Sequence, residues 1–196
     1  MKTLFVDENI IAIIKPVGLD SESEVPKALC EELGSDSEIF TLHRLDKNVG
    51  GVMIYARNKK TAAALSKAIQ DGKMVKEYLA KVHGTPPAFD VLEDLLFKDS
   101  RKNKVFVVKR QRAGVKKAKL EYKRLTEGEE SLVHIRLYTG RSHQIRVQFA
   151  SRGYPLVGDH KYGSRSERTA PMLFSHRITF PYMGKEVCFE ATPDWI

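Results

Sequence analysis

A chain of 196 residues with 42% apolar residues, two cysteines and a formal net charge of +8 is long enough to bury a core of its own without disulfide support. Cys30 and Cys188 form no CxxC pair, and Asp7, Glu8 and Lys15 break the first apolar stretch well short of a membrane span. A disulfide scaffold, a zinc ribbon and a secretory or membrane segment are therefore not expected; the expectation is a monomer in a reducing cytoplasm whose excess of cations suits an acidic partner such as nucleic acid.

In chain order, residues 4–6 and 10–14 read as strands, 26–33 as a helix, and 52–55 as a buried strand. Residues 59–70 predict a helix, with Leu65 and Ile69 at helical spacing and Asp71-Gly72 as its stop. Strands follow at 78–82, 105–108 and 132–137, then a helix over 142–152 with Ser142 as its expected N-cap, and a last strand at 187–189. No repeat, low-complexity tract or linker divides the chain, so one domain over 1–196 is expected, of α+β class and dominated by antiparallel strands. Residues 98–117 read as a long mobile connection, or as a hairpin facing RNA.

Charge is unevenly placed. Residues 21–38 are acidic, whereas the stretch 98–123 holds eleven cations, among them Lys116, Lys117 and Lys119. Such a run is either a solvated face or a set of phosphate contacts. His43-Arg44-Leu45-Asp46 precedes a glycine turn, Val49-Gly50-Gly51, that enters the 52–55 strand. Asp46 at the mouth of a buried strand suits catalysis, or else it caps a turn with Arg44 as its surface partner. Gly140-Arg141-Ser142-His143-Gln144-Ile145-Arg146 joins a strand to a helix start and gathers enough polar donors for an anion site. By spacing alone Tyr78 is a core tyrosine, and the stretch 153–159 is scaffold. The six histidines show no HxxxH or HExxH spacing, and there is no GxxxxGK[ST], GxGxxG or GxSxG string, so zinc, nucleotide-phosphate, dinucleotide and serine-hydrolase chemistry have no support.

Taken together, Lys15-Pro16-Val17-Gly18-Leu19, His43-Arg44-Leu45-Asp46, Lys76-Glu77-Tyr78-Leu79-Ala80, the 140–146 string, Gly158-Asp159-His160-Lys161-Tyr162-Gly163 and Leu173-Phe174-Ser175-His176 resemble, in order, the motifs of RluA-type RNA pseudouridine synthases. The resemblance implies a mixed, largely antiparallel sheet divided by a central active-site cleft and flanked by helices. It also implies isomerisation of uridine to pseudouridine in ribosomal or transfer RNA, without cofactor or metal. Asp46 matches the family's essential aspartate, Tyr78 its active-site tyrosine, and Arg146 the basic residue that pairs with that aspartate. Arg44 matches an arginine that holds the place of the flipped nucleotide, and Leu173 an apolar pocket residue; His43, Arg141, His143 and Gln144 join the substrate-binding set, with Lys116, Lys117 and Lys119 as RNA contacts. Where relatives carry Thr-Ser-Gly after the aspartate, this chain has Val49-Gly50-Gly51, so two hydroxyls that would brace the loop are missing. The auxiliary N-terminal RNA-binding domain of many relatives is not expected either. Two other readings compete: an RNA-binding protein that kept the fold without activity, and a metal-dependent nuclease built on Glu93-Asp94.

Overall fold

Alternation of apolar and polar residues and runs of β-branched side chains set the elements of the computed structural model, which describes residues 1–34 and 37–196. In order these are β1 (Lys2–Val6), β2 (Ile10–Lys15), α1 (Glu24–Leu33), β3 (Phe40–Thr41), β4 (Gly50–Ala56), α2 (Lys59–Gln70), β5 (Val75–His83), β6 (Phe89–Asp99), β7 (Lys104–Val108), β8 (Val115–Arg124), β9 (Glu130–Leu137), α3 (Gln144–Ala150), a 3-10 turn (His160–Tyr162), β10 (Leu173–Tyr182) and β11 (Lys185–Glu190). The chain packs as two compact units, one from residues 1–76 and 174–196, the other from 77–173.

In the first unit β1, β2, β4 and β10 lie in that order, with β3 on β4 and β11 on β10. All of these pairs are antiparallel except β4 with β10, which are parallel through Gly50–Phe174 and Gly51–Ser175. Every residue of β4 is buried, which explains its continuous apolar run. Ile10, Ala12, Val52, Ile54, Ile178 and Phe180 form the core against Leu65 of α2. That helix starts where the Asn58 side chain accepts the Thr61 amide, as a polar cap should.

In the second unit β5, β9, β8, β6 and β7 are successive neighbours, and the β9–β8, β8–β6 and β6–β7 ladders are antiparallel. Leu96, Val105 and Ala118 pack there with Val147 of α3 and with Tyr162. Within each unit the strands make the sheet, mixed in the first, that the sequence suggests.

Two expectations are corrected. Residues 98–117 are not a long loose connection but, as the other reading had it, contain a hairpin: the end of β6 pairs with β7, and the start of β8 pairs back with β6. Within them β7 lies where the strand at 105–108 is expected. Nor does Ser142 cap α3. The cap is His143, in left-handed conformation at φ 49°, with no side-chain bond to the helix, and its ring is turned instead to Tyr162. Among the described residues no helix is long and apolar enough to cross a membrane.

Candidate active site

The loop that carries Asp46 is held by backbone contacts from three directions within the first unit. Asp46 itself is half-buried and its carbonyl accepts the Val49 amide at 2.9 Å, closing a turn. The buried Ser21 hydroxyl donates to the Leu45 carbonyl at 2.9 Å and accepts the Leu45 amide at 3.2 Å, while Tyr55 pins the Ser21 carbonyl at 2.9 Å. Gly18 donates to the Lys47 carbonyl at 2.8 Å. Below the loop lies Lys15, 0% exposed, whose ammonium donates to the carbonyls of Pro16 and Leu19 at 2.8 Å and of Lys47 at 3.3 Å. Burial pulls Lys15 down to about 8, and the carboxylates of Asp20, Asp46 and Glu24 oppose that fall. Ser21 and Lys15 thus brace the loop without hydroxyls at positions 49 and 50.

The glycines of the same loop have separate reasons. Gly51 sits at φ 124°, and a Cβ there would stand 2.4 Å from the carbonyl oxygen and 2.5 Å from the amide nitrogen of Ser175 on β10. Only glycine allows β4 and β10 to approach so closely. Gly50 is merely tight, a Cβ meeting the Lys15 carbonyl at 3.2 Å.

His43, three residues before Asp46, accepts the Ile54 amide on Nε2 at 3.1 Å, which places the proton on Nδ1. That Nδ1 is buried and makes no hydrogen bond. Burial, helped by the Lys76 ammonium, holds the ring neutral down to about pH 3. Arg44 is exposed and paired with Glu22 at 3.0 Å, a surface pair of small energetic weight.

The second unit holds a cluster built on Arg146. Its guanidinium meets the carboxylate of Asp159 at two points, Nε to Oδ2 at 2.7 Å and Nη2 to Oδ1 at 2.8 Å, and lies 5.2 Å from the centre of the Tyr162 ring. The Tyr162 hydroxyl accepts the Val105 amide at 2.9 Å and bonds His143 Nδ1 at 2.8 Å. Gly158 positions Asp159: at φ 82° a Cβ would fall 2.1 Å from the Ala170 carbonyl, and the Gly158 amide donates to Ser164 at 3.0 Å. By spacing alone the 153–159 stretch reads as scaffold, which hides Asp159 as the holder of Arg146; the signal was its place in the Gly158–Gly163 motif, to which no role was attached.

The other expected site residues divide by role. Gln144 is buried and spends its amide on the strap before α3, accepting from Thr139 at 2.7 Å and the Arg141 amide at 3.0 Å and donating to the Lys119 carbonyl at 3.1 Å. Arg141 is exposed, with Nε fixed on the Lys117 carbonyl at 2.9 Å. Tyr78 in β5 and Leu173 at the start of β10 are buried. Lys116, Lys117 and Lys119 do not share a face. By strand alternation Lys116 lies with Ala118 and Leu120 on the core side of β8, while Lys117 and Lys119 lie on the other side, where Lys119 meets Glu93 at 2.7 Å. Asp94, the other half of the candidate nuclease pair, is spent on Arg152 at 2.8 Å and Gln148 at 2.7 Å. Among the described residues no group of three His, Cys, Asp or Glu is placed to hold a metal ion.

Comparison with known proteins completes the picture. A family model described as RNA pseudouridylate synthase matches residues 9–151. The chain is 31% identical over 207 residues to a protein of Escherichia coli named dual-specificity RNA pseudouridine synthase RluA, covering 98% of this chain and 93% of that one. It is 33% identical to ribosomal large subunit pseudouridine synthase D of Borreliella burgdorferi, covering 89% of this chain but 59% of the relative. It spans 66% of the length of two mycoplasmal relatives. The solved human RNA pseudouridylate synthase domain containing 1 shares the fold at a TM-score of 0.87 and 20% identity, over 100% of this chain and 84% of that one.

Proposed function

Because this chain belongs to the RNA pseudouridylate synthase family, we propose that it isomerises a specific uridine to pseudouridine in ribosomal or transfer RNA, with its two units serving as one catalytic domain. The observation that supports the reading is the braced loop of Asp46, the residue that the motif resemblance matches to the family's essential aspartate, held by Ser21, Lys15 and Gly18.

The reaction needs no redox step. The bond from the ribose C1′ to uracil N1 breaks, the base turns, and a bond from C1′ to C5 forms; the proton leaving C5 balances the one gained at N1. A carboxylate that attacks or stabilises the electron-poor centre is the main requirement, and Asp46 fills that role. The uridine must leave its stack to expose N1 and C5, so base flipping precedes chemistry, with Arg44 taking the vacated place. Tyr78 stacks on the flipped base and receives the C5 proton, while Arg146 supplies the counter-charge for Asp46, and Leu173 lines the pocket. His43, His143 and Gln144 complete the substrate set through the loops they occupy. The enzyme acts as a cytoplasmic monomer without cofactor.

Mapping pseudouridines in ribosomal and transfer RNA from cells with and without the protein tests this. One or more sites should vanish in its absence and return with the wild-type gene but not with Asp46→Asn. Identical maps overturn the proposal in favour of an RNA-binding protein that kept the fold.

A further inference from the structure

Three cations of the basic stretch already have partners. Lys119 meets Glu93, Arg112 lies 4.7 Å from the centre of the Phe97 ring, and Lys104 lies 5.3 Å from that of Tyr162. Lys98 and Lys116 differ. Among the described residues neither has an ion pair or an aromatic ring beneath it, and both help line a cavity of about 140 Å³ together with Arg141, Ser142, Gly114 and Gly140.

Their convergence follows from register. Lys116 stands opposite Leu96 in the β6–β8 ladder, so the two share a face, and Lys98 is two residues further along β6 on that same face. This is the side that carries Leu96, Val105 and Ala118 into the core, and the lysines prolong it past the last apolar residue. Arg141 joins them from the strap before α3, its Nε anchored on the Lys117 carbonyl so that the rest of the guanidinium is oriented in advance. No carboxylate lines the cavity. The adjacent Asp99 accepts the Arg101 and Lys102 amides at 3.0 and 3.1 Å, closing its own turn. Three cations brought to one concavity without a counter-ion repel each other, and a bound anion removes that repulsion.

We infer that Lys98, Lys116 and Arg141 form a pocket for a single backbone phosphodiester of the RNA, separate from the reacting nucleotide. Hydroxyl and guanidinium donors suit phosphate oxygens, and the glycines at 114 and 140 keep the rim low for a polynucleotide strand. The inference rests on the proposed action on RNA but concerns binding, so the two can fail independently.

The test is the salt dependence of affinity for a fluorescein-labelled stem–loop RNA with uridines in its loop, compared with pseudouridine formation in bulk RNA. In Lys98→Gln/Lys116→Gln the slope of log affinity against log salt should shrink by roughly 1.4 to 1.8, two contacts' worth. Lys67→Ala, which loses a cation from the first unit that is paired with Asp71, should leave it unchanged. Thermal unfolding of each variant identifies any that has not folded; for such a variant, Lys98→Gln alone, expected to lose roughly half as much slope, decides in its place. Inorganic phosphate, exchanged for chloride at equal ionic strength, should compete weakly with RNA on the wild type and not on the double variant. A slope equal to that of Lys67→Ala overturns the pocket even if the wild type makes pseudouridine. A wild type that binds RNA steeply, with the slope reduced in the variant, but makes no pseudouridine overturns the function and leaves the pocket standing. Competition by free phosphate without any change in RNA slope makes it an anion site that RNA does not use, and that too overturns the inference.

Discussion

Arg146 and Asp159 form a buried two-point ion pair in the second unit, with side chains 9% and 1% exposed. A guanidinium so enclosed depends on that carboxylate. Asp159→Ala should destabilise the protein by about 3 to 5 kcal/mol, since it removes the two-point carboxylate partner of a buried cation. Arg146→Met/Asp159→Leu should recover most of that stability and remain inactive. Chemical denaturation and turnover of the single and double variants provide the check; a double variant as unstable as Asp159→Ala would show that the pair is not what holds this cluster.

Asp46→Asn should abolish turnover and leave RNA affinity nearly unchanged, because the amide keeps the shape while the charge and nucleophilicity go. Single-turnover assays beside binding titrations separate the two effects. A rate within about tenfold of wild type would remove Asp46 from the chemistry.

Lys15 predicts an alkaline limit. Above about pH 8 its ammonium becomes an amine with two donors for three carbonyls, and the Asp46 loop loosens. Turnover should therefore fall through that pH in the wild type, whereas Lys15→Met should be slow throughout and lack that limb. Stability should move the other way. From about 8 to the ordinary lysine value of 10.5 the unfolded chain holds more protons than the folded one, so stability rises with pH across that window. A shared alkaline limb in wild type and Lys15→Met would sink the idea.

His43 sets the acid side. Its ring stays neutral when folded down to about pH 3 but takes a proton near 6.5 when unfolded, so stability is lost as pH falls from 6.5 towards 3. In His43→Leu this component should be missing, although the variant is weaker at neutral pH by about 1 to 3 kcal/mol through the unsatisfied Ile54 amide. Denaturation midpoints from pH 7 to pH 4 measure it, and parallel curves would refute it.

The two glycines after Val49 should respond differently. Gly51→Ala combines a left-handed backbone with a Cβ inside the Ser175 backbone and should cost about 2 to 5 kcal/mol. Gly50→Ser needs only a small shift of the Lys15 carbonyl and should cost about 1 kcal/mol. Melting temperatures rank the pair; equal losses would contradict the geometry.

Elements whose apolar pattern is simple were legible: helix α2 has the predicted bounds, and β2, β4 and β9 lie where their β-branched runs place them. Strands β6 and β8 were not, because Glu, Asp and Lys occupy their solvent face and the ends of their core face, breaking the run of hydrophobic residues. For the candidate site, the order of motifs offers Asp46, Tyr78 and Arg146 as expectations to be tested. The supports stayed hidden because burial of a polar group leaves no mark in sequence. Lys15 ends an apolar strand and reads as a surface cation, Ser21 sits within an acidic stretch, and Asp159 pairs with a residue 13 positions earlier.

The parallel contact of Gly51 with Ser175 bears on how the protein is made. Ser175 is buried and its hydroxyl donates to the Val52 carbonyl at 2.9 Å across 123 residues. As the chain emerges during synthesis, β2 and β4 can pair early, but the edge at Gly50 and Gly51 stays open until β10 has been translated. The floor under the Asp46 loop is thus laid late, after the entire second unit, and the loop-closure entropy of that long-range contact makes it a slow step of the first unit's folding. A nascent chain stopped before β10 would display Asp46 on a loop already tied to Ser21 and Lys15 but entering a strand whose Gly50–Gly51 edge has no partner.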